Sequence, residues 1–336
     1  MPSVCIFPKA STTGGVTSFQ AKLAAGLKAR GIQSSYRLDE FPIDAVLLTS
    51  TTRDLAGLLR LKRKGIRIVQ RLDGINWLHR RLHTGVRHFL RAEYGNHLLA
   101  LLRKRVVDRV VYQSEFVRGW WTRQYGAEPV PSVVIHNGVD LMVYTPDGSK
   151  ERPLETFRLL LVEGSLQGGY ETGLVTAIGL AEQLGGRFPI ELMVIGQISI
   201  SRQSAFEKTT KVPIRWTGLV PRETIPFQDR SAHLLYSADI NAACPNSVIE
   251  ALACGLPVCG FSTGALPELV TGGGGTLVPY GGDPWKLEKP DLPALANAAA
   301  EILQNNEHFR TSARWRAEEA FGLDKMVDRY LDVLLG

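Results

Sequence analysis

Hydrophobic periodicity predicts an α/β protein built from two doubly wound parallel sheets in tandem. Short apolar runs alternate with longer amphipathic stretches, which is the mark of repeated βα units rather than of a sandwich or a bundle. The alternation stops at YTPDGSKERPLETF, a segment rich in proline, glycine and charge, and then restarts. The charge balance also changes sign there. Residues 1–150 hold 23 Lys and Arg against 11 Asp and Glu, whereas residues 151–336 hold 16 against 22.

Taken in order, SVCIFPKA reads as a strand and STTGG as a loop. VTSFQAKLAAGLKARG follows as a helix stopped by Gly31. IQSSYRL and IDAVLLTS read as strands, TRDLAGLLRLKRKG as an amphipathic helix, and IRIVQRL as a strand opening into DGINWLHRRLHTG. A basic helix, VRHFLRAEYGNHLLALLRKRV, precedes the strand DRVVYQS, the helix EFVRGWWTRQYG and the strand SVVIHNGVD. Beyond the linker, FRLLLVEG is a strand, SLQGGYETG a loop and LVTAIGLAEQLGG a helix. ELMVIGQ and PIRWTGL are strands, VPRETIPFQDR a helix and AHLLYSA a strand. The stretch Ala242–Leu269 gives a loop, a short helix, the buried strand LPVCGF and a second turn, and GTLVP is a last strand. From Asp291 the chain is helical to its end, with a break near Gly322.

A chain of 336 residues with 44% hydrophobic composition can bury two cores. No apolar run reaches the ~20 residues of a membrane span, and nothing at Met1–Pro8 has the form of a signal peptide, so a cytoplasmic protein is expected. Cys5, Cys244, Cys254 and Cys259 show neither a disulfide framework nor zinc-ligand spacing, and the seven histidines show no metal motif. The basic first half points to an anionic partner or to a solvated basic face. Trp77–Arg91, Arg103–Arg109 and Trp120–Trp121 are candidates for contact with the inner face of an anionic membrane, with a solvated helix face as the plainer alternative.

Two places carry chemistry. Gly14 and Gly15 follow the first strand and open a helix. Glycines there let a backbone approach a diphosphate at a helix N-terminus, or simply supply a turn. In CPNSVIEALACGLPV, a polar loop feeds a helix at Asn246 and Ser247, with Glu250 one turn in and Gly255 and Pro257 ending it. Helix-entrance N–H groups and the dipole favour phosphates, and a carboxylate one turn inside accepts from sugar hydroxyls. Ser247-x-x-Glu250 is equally a capping box. Asp73 ends a strand at the ligand-binding edge of the first sheet. It is either a polar group for a substrate hydroxyl or an Asx turn before Gly74. Trp77, His79 and His83 just beyond are candidates for stacking on a sugar.

The motifs CPNSVIEALACGLPV and GALPELV resemble the donor-binding signature of the family 4 retaining glycosyltransferases of the GT-B fold. The resemblance implies two Rossmann-like domains facing a cleft: an acceptor domain over residues 1–148, a nucleotide-sugar domain over 157–315, and a C-terminal helix, 316–336, packing back on the first. It implies transfer of a hexose from a UDP or GDP sugar to a glycan, lipid-linked or small-molecule hydroxyl, with no obligate cofactor or metal and no nucleic-acid partner. Donor-binding positions would be Gly14, Gly15, Gly164, Ser165, Gly168, Gly169, Cys244, Pro245, Asn246, Ser247, Val248 and Glu250, and catalytic ones Asp73 and Asn246. Glu250 would take the donor ribose. Two departures stand out. Ala242 occupies a position that is commonly acidic, and the loop EGSLQGGYETG (163–173) lacks the usual Arg and Lys beside the diphosphate. A backbone nest at Gly164–Gly169, or Arg71 from the first domain, would have to compensate. The departures leave a non-catalytic nucleotide-sugar-binding or scaffold protein as the alternative.

Overall fold

The structure is a computed structural model that describes residues 1–10, 14–40, 42–149, 151–166 and 171–336. In chain order its elements begin with β1 (Ser3–Phe7), α1 (Gly15–Ala29), β2 (Gln33–Ser35), β3 (Ala45–Leu48), α2 (Leu55–Arg63) and β4 (Arg67–Leu72). Next come α3 (Val86–Arg105), β5 (Arg109–Tyr112), α4 (Glu115–Tyr125) and β6 (Ser132–Val134). A second series follows: β7 (Phe157–Ser165), α5 (Glu171–Gly185), β8 (Ile190–Gln197), α6 (Ile200–Thr209), β9 (Ile214–Gly218), α7 (Ile225–Ser231) and β10 (Leu234–Tyr236). It continues through α8 (Asn246–Ala253), β11 (Val258–Phe261), α9 (Leu266–Leu269), β12 (Gly275–Val278), α10 (Leu292–Gln304), α11 (Asn306–Ala320) and α12 (Leu323–Leu335).

These elements form two all-parallel six-stranded sheets, as the βα periodicity predicts. The first has the order β2-β1-β3-β4-β5-β6 and the second β12-β11-β10-β7-β8-β9. In each sheet the winding reverses at one place, between β1 and β3 in the first and between β7 and β10 in the second. Ligands in open α/β sheets bind outside the carboxyl ends of the strands at such a reversal.

The chain divides into two compact units, 1–138 with 323–336, and 139–322. The first division falls earlier than residue 148. Arg230 donates to the carbonyls of Thr145 and Ser149, and Arg314 to those of Leu141 and Tyr144, so the residues after Gly138 are fastened to the second unit. Its strand-like entry at Val139 lies beside its exit, where Val139 bridges Gly322 and its N–H reaches the Phe321 carbonyl at 2.8 Å.

The first core gathers Val4, Ile6, Phe19, Leu23, Leu27, Val69 and Val111 with Met326, Val327, Tyr330 and Leu334 of α12. The last helix therefore belongs to the first unit, and it starts at Leu323 rather than at 316. Gly26 permits its approach. A Cβ there would stand 2.4 Å from Val327 Cγ2. The second core sits between β7, β8 and β10 and the helices α5 and α10, around Leu159, Leu161, Leu174, Leu192, Val194 and Leu295.

Candidate active site

In the second unit the region beyond β10 is shaped by backbone geometry more than by side-chain caps. Asn241 adopts φ 60° and Gly264 φ 59°. A Cβ on Gly264 would lie 2.5 Å from the Ala242 nitrogen, and the Ala265 N–H donates to the Ala242 carbonyl at 2.9 Å. The 262–265 turn thus clasps the loop that leads into α8, and only glycine fits at the clasp. The Asn241 amide nitrogen is buried there and has no hydrogen-bond partner among the described residues.

Pro245 is the N-cap of α8, and no side chain caps the helix. The Ser247–Glu250 capping box is therefore not formed, because the helix begins one residue before Ser247 and Glu250 turns elsewhere. The N–H groups of Asn246, Ser247 and Val248 lie in the first turn, where no intrahelical acceptor exists. Asn246 and Ser247 are half-buried, whereas Val248 and Cys244 are buried. Glu250 is 7% exposed, and its Oε1 accepts from Arg222 Nη2 at 3.4 Å. The Glu250 charge, after burial itself, helps raise the Tyr144 hydroxyl and the buried Asp229 carboxyl. Arg222 lies in a short turn after β9, and nothing in its local sequence marks it as a partner for a residue so far along the chain.

At the sheet reversal, Glu163 near the end of β7 and Asp239 just beyond β10 form a half-buried acidic pair. Burial raises Glu163, and the neighbouring Asp239 carboxylate raises it further. Asp239 is itself raised by burial. One of the two therefore holds a proton well above the usual carboxylate range. Asp239 carries no sequence signal of its own. Glu163, Gly164 and Ser165 belong to strand β7 rather than to the loop, since β8 continues pairing as far as Ser165↔Gln197. Gly164 and Ser165 are exposed at the strand's end, and Gly168 and Gly169 lie outside the described residues.

In the first unit Gly14 is the N-cap of α1, with φ 146° and no side-chain cap, and Gly15 is its first residue. Gln20 fastens residues 8–10. Its Oε1 accepts from the Ala10 N–H at 2.9 Å, and its Nε2 donates to the Pro8 carbonyl at 2.8 Å and to Thr49 Oγ1 at 2.7 Å.

Asp73 sits in a polar network. Arg71 Nη1 meets its Oδ1 at 2.5 Å, Gln113 Nε2 donates to the same oxygen, and the Trp121 indole donates to its backbone carbonyl at 2.7 Å. Arg71 also reaches Asn137 at 3.0 Å and lies over the Phe19 ring at 3.9 Å. Burial pushes the Asp73 carboxyl up and the Arg71 guanidinium pulls it back. Arg71 is 2% exposed, with Nη1 on Asp73 and Nη2 on Asn137, while its Nε is buried without a hydrogen-bond partner among the described residues. His79 is not available for stacking either. It is buried and bonded to Glu93 at 2.8 Å, while Arg80 holds Glu93 at 2.5 and 2.9 Å and lowers its carboxyl to about 2. Trp120, Trp121 and Arg103, expected on a surface, are buried. Trp121 fills the space under Asp73, and Arg103 pairs with Glu128.

A cavity of about 780 Å³ opens beyond the carboxyl ends of β3 and β4, lined by Thr49–Arg53, Arg71–Gly74, Val16 of α1 and one face of α3. Among the described residues no cluster of three or more His, Cys, Asp or Glu could hold a metal ion, and no helix is long and apolar enough to cross a membrane.

Two parallel sheets, each with a reversal point and polar side chains at its carboxyl edge, define the GT-B class. The "Glycosyl transferases group 1" family model matches residues 160–305, and "Glycosyltransferase Family 4" matches residues 33–143. The chain belongs to the GT-B glycosyltransferases of this group 1 and family 4 type. It is 28% identical over 242 residues to a D-inositol 3-phosphate glycosyltransferase of Streptomyces scabiei, a match covering 64% of this chain and 54% of that protein. The chain thus spans about half the length of that curated relative. Among solved structures, sucrose-phosphate synthase from Thermosynechococcus elongatus superimposes with TM-score 0.75 at 15% identity, covering 99% of this chain and 98% of the other. HepE of Anabaena in complex with UDP and glucose does so with TM-score 0.71 at 14% identity, covering 99% of each chain.

Proposed function

We propose that the protein is a hexosyltransferase that moves a hexose from a UDP or GDP sugar to an acceptor hydroxyl, with retention at the anomeric carbon. The observation that carries this reading is the uncapped α8 entrance beside buried Glu250 at the ligand-binding edge of the second sheet. Free first-turn amides and the helix dipole suit a diphosphate that gains charge as the sugar leaves. Glu250 would accept from the ribose hydroxyls, with Arg222 holding its carboxylate in place. The buried Asn241 amide supplies a further donor, and the Glu163–Asp239 pair supplies a proton-holding carboxyl near the site. The relatives support the donor class, since the HepE structure contains UDP and glucose.

Ala242, 3% exposed and apolar, supports a second reading in which the protein binds a nucleotide sugar without turning it over. Incubation with a panel of UDP and GDP sugars separates the two. Slow release of free nucleotide is expected, and binding without any turnover, with or without acceptor extracts, favours the second reading. Under both readings Glu250→Ala should weaken nucleotide-sugar binding at least about a hundredfold, because two charge-assisted bonds of roughly 1.5–3 kcal/mol each are lost. Unchanged affinity by calorimetry would remove Glu250 from the site.

A further inference from the structure

We infer that the second unit carries a nucleotide site apart from the α8 entrance, in the cavity between α11 and the chain at Pro146 and Arg152. Arg152 and Arg310 hold the phosphate there, and Trp315 supports the base. The cavity measures about 540 Å³, a volume that suits a mononucleotide. It lies at the amino edge of the second sheet. Arg310 Nη1 donates to the carbonyl of Ala232, just before β10 opens, and Gly255 in the lining follows the end of α8. The 8 residues of α8, about 12 Å of helix, separate that end from the entrance at Asn246.

The phosphate assignment follows from how charge is graded with depth. Arg310 is buried and has no carboxylate within ion-pair distance among the described residues. Burial, and after it the charge of Arg152, lowers its guanidinium to about 10. Arg152 comes from a different segment, and burial lowers it too. Its carboxylate partner, Glu307, stands 3.7 Å away with a side chain that is almost fully exposed, which makes a weak pair. The other acids of the lining do not help. Asp147 is exposed, and Glu318 is held by Arg314 at 2.6 Å. Arg314 itself is committed to the Tyr144 and Ala253 carbonyls, each at 2.8 Å. Two desolvated guanidiniums of like charge thus share one cavity, and a phosphate between them offsets both the desolvation and the repulsion.

The base assignment rests on Trp315. It is more than half exposed, yet its ring is seated, since a Cβ on Gly272 would stand 2.8 Å from Trp315 Cζ3. It lies on the same helix as Arg310, about 7.5 Å further along the axis, which is of the order that a ribose spans between phosphate and base. An exposed indole held flat against backbone gives a planar ring a stacking surface without ordering a loose side chain.

The test uses the full chain carrying Glu250→Ala, which weakens the α8 entrance, titrated calorimetrically with AMP, GMP and UMP, with the matching nucleosides and with inorganic phosphate. At least one nucleotide should bind about tenfold or more tightly than its nucleoside and than phosphate. Arg152→Met and Arg310→Met should each cost about tenfold in nucleotide affinity. Trp315→Leu should cost about tenfold for the nucleotide and leave phosphate binding unchanged. Arg152 and Trp315 are the less buried pair, so their variants decide the matter if Arg310→Met fails to fold. In the chain that keeps Glu250, Trp315→Leu should bind UDP-glucose as the wild type does. No binding of any of the three nucleotides overturns the inference. So does a nucleoside or phosphate that binds as tightly as the nucleotide, or unchanged nucleotide affinity in Arg152→Met and Trp315→Leu. A parallel loss of UDP-glucose binding in Trp315→Leu would mean one site rather than two, and overturns it as well.

Discussion

At the scale of single residues, charges in this molecule are sorted by burial rather than by sequence neighbourhood. Glu250 and Asp73 look alike in the sequence, each a carboxylate near the edge of a predicted element. The first is 7% exposed and accepts from Arg222 of a distant turn, whereas the second is bonded by Arg71, Gln113 and the Trp121 indole around it. The helix entrance was legible because Asn, Ser and Glu have strong positional preferences at a helix start. Arg222, Asp239 and the Asn137–Arg71 link were not, because they join residues brought together only by the sheet. His233 gives a sharp residue-scale prediction. Its Nδ1 accepts from the Arg158 N–H at 2.9 Å, and burial, with Arg152, Arg310 and Arg158 around it, lowers its pKa from 6.5 to about 4. The folded state therefore holds fewer protons than the unfolded chain between pH 6.5 and 4. Stability from this group is complete above pH 6.5 and falls as the pH drops through that window. The wild type should lose about 2 kcal/mol more than His233→Gln between neutrality and pH 4, the ~3.4 kcal/mol ceiling being reduced for partial solvent screening. Parallel urea melts across that range check it, and identical pH slopes would refute the assignment.

At the scale of elements, the sequence shows most strands and helices, because parallel strands buried on both faces leave unbroken apolar runs and their helices keep a 3.6-residue stripe. It does not show α6 between β8 and β9, which buries no residue and so carries no apolar stripe to read. The misreadings have physical causes. WW in α4 looks like a membrane-facing pair, yet Trp120 and Trp121 are 7% and 0% exposed because α4 packs them inward. The loop expected from Glu163 starts later because β8 extends β7 by further pairing. The packing of α1 on α12 tests how tightly such pairs are fitted. Alanine at Gly26 would gain about 1 kcal/mol of helix propensity. It would also place a methyl 2.4 Å from Val327 Cγ2, and overpacking of that kind costs about 1–3 kcal/mol. Gly26→Ala should thus be destabilising by about 1 kcal/mol in chemical denaturation, and Val327→Ala in the same chain should recover part of that loss. Additive losses would show that the two side chains do not meet.

At the scale of the whole molecule, the second series of elements closes before the chain ends, and the final helix completes the first unit rather than the second. The sequence made a returning helix legible only through family resemblance, since its amphipathic pattern alone does not say which sheet it covers. The contacts supply the answer. Met326, Val327, Tyr330 and Leu334 are each at most 4% exposed, and they complete a core that already holds Phe19, Leu23 and Leu27. Arg30 pairs with Asp324 and Asp328, Arg67 donates to the Gly336 carbonyl at 2.6 Å, and Arg329 donates to the Val134 carbonyl at 2.7 Å. Exposing four such side chains costs on the order of 8 kcal/mol at roughly 1.5–3 kcal/mol each. That is comparable with the whole stability of a domain, about 5–15 kcal/mol. A chain ending at Gly322 should therefore retain the second unit, with its α8 entrance and Glu250, while the first loses cooperative folding. Calorimetry of the full chain against the truncated one should show the transition of the first unit disappear and that of the second persist. Hydrogen exchange should find protection kept in β7, β8 and β10 and lost in β1, β3 and β4. Nucleotide-sugar binding surviving that truncation would locate the donor site in residues 139–322 without help from the first unit, whereas a truncated chain that melts like the full one would show that α12 does not hold the first core together.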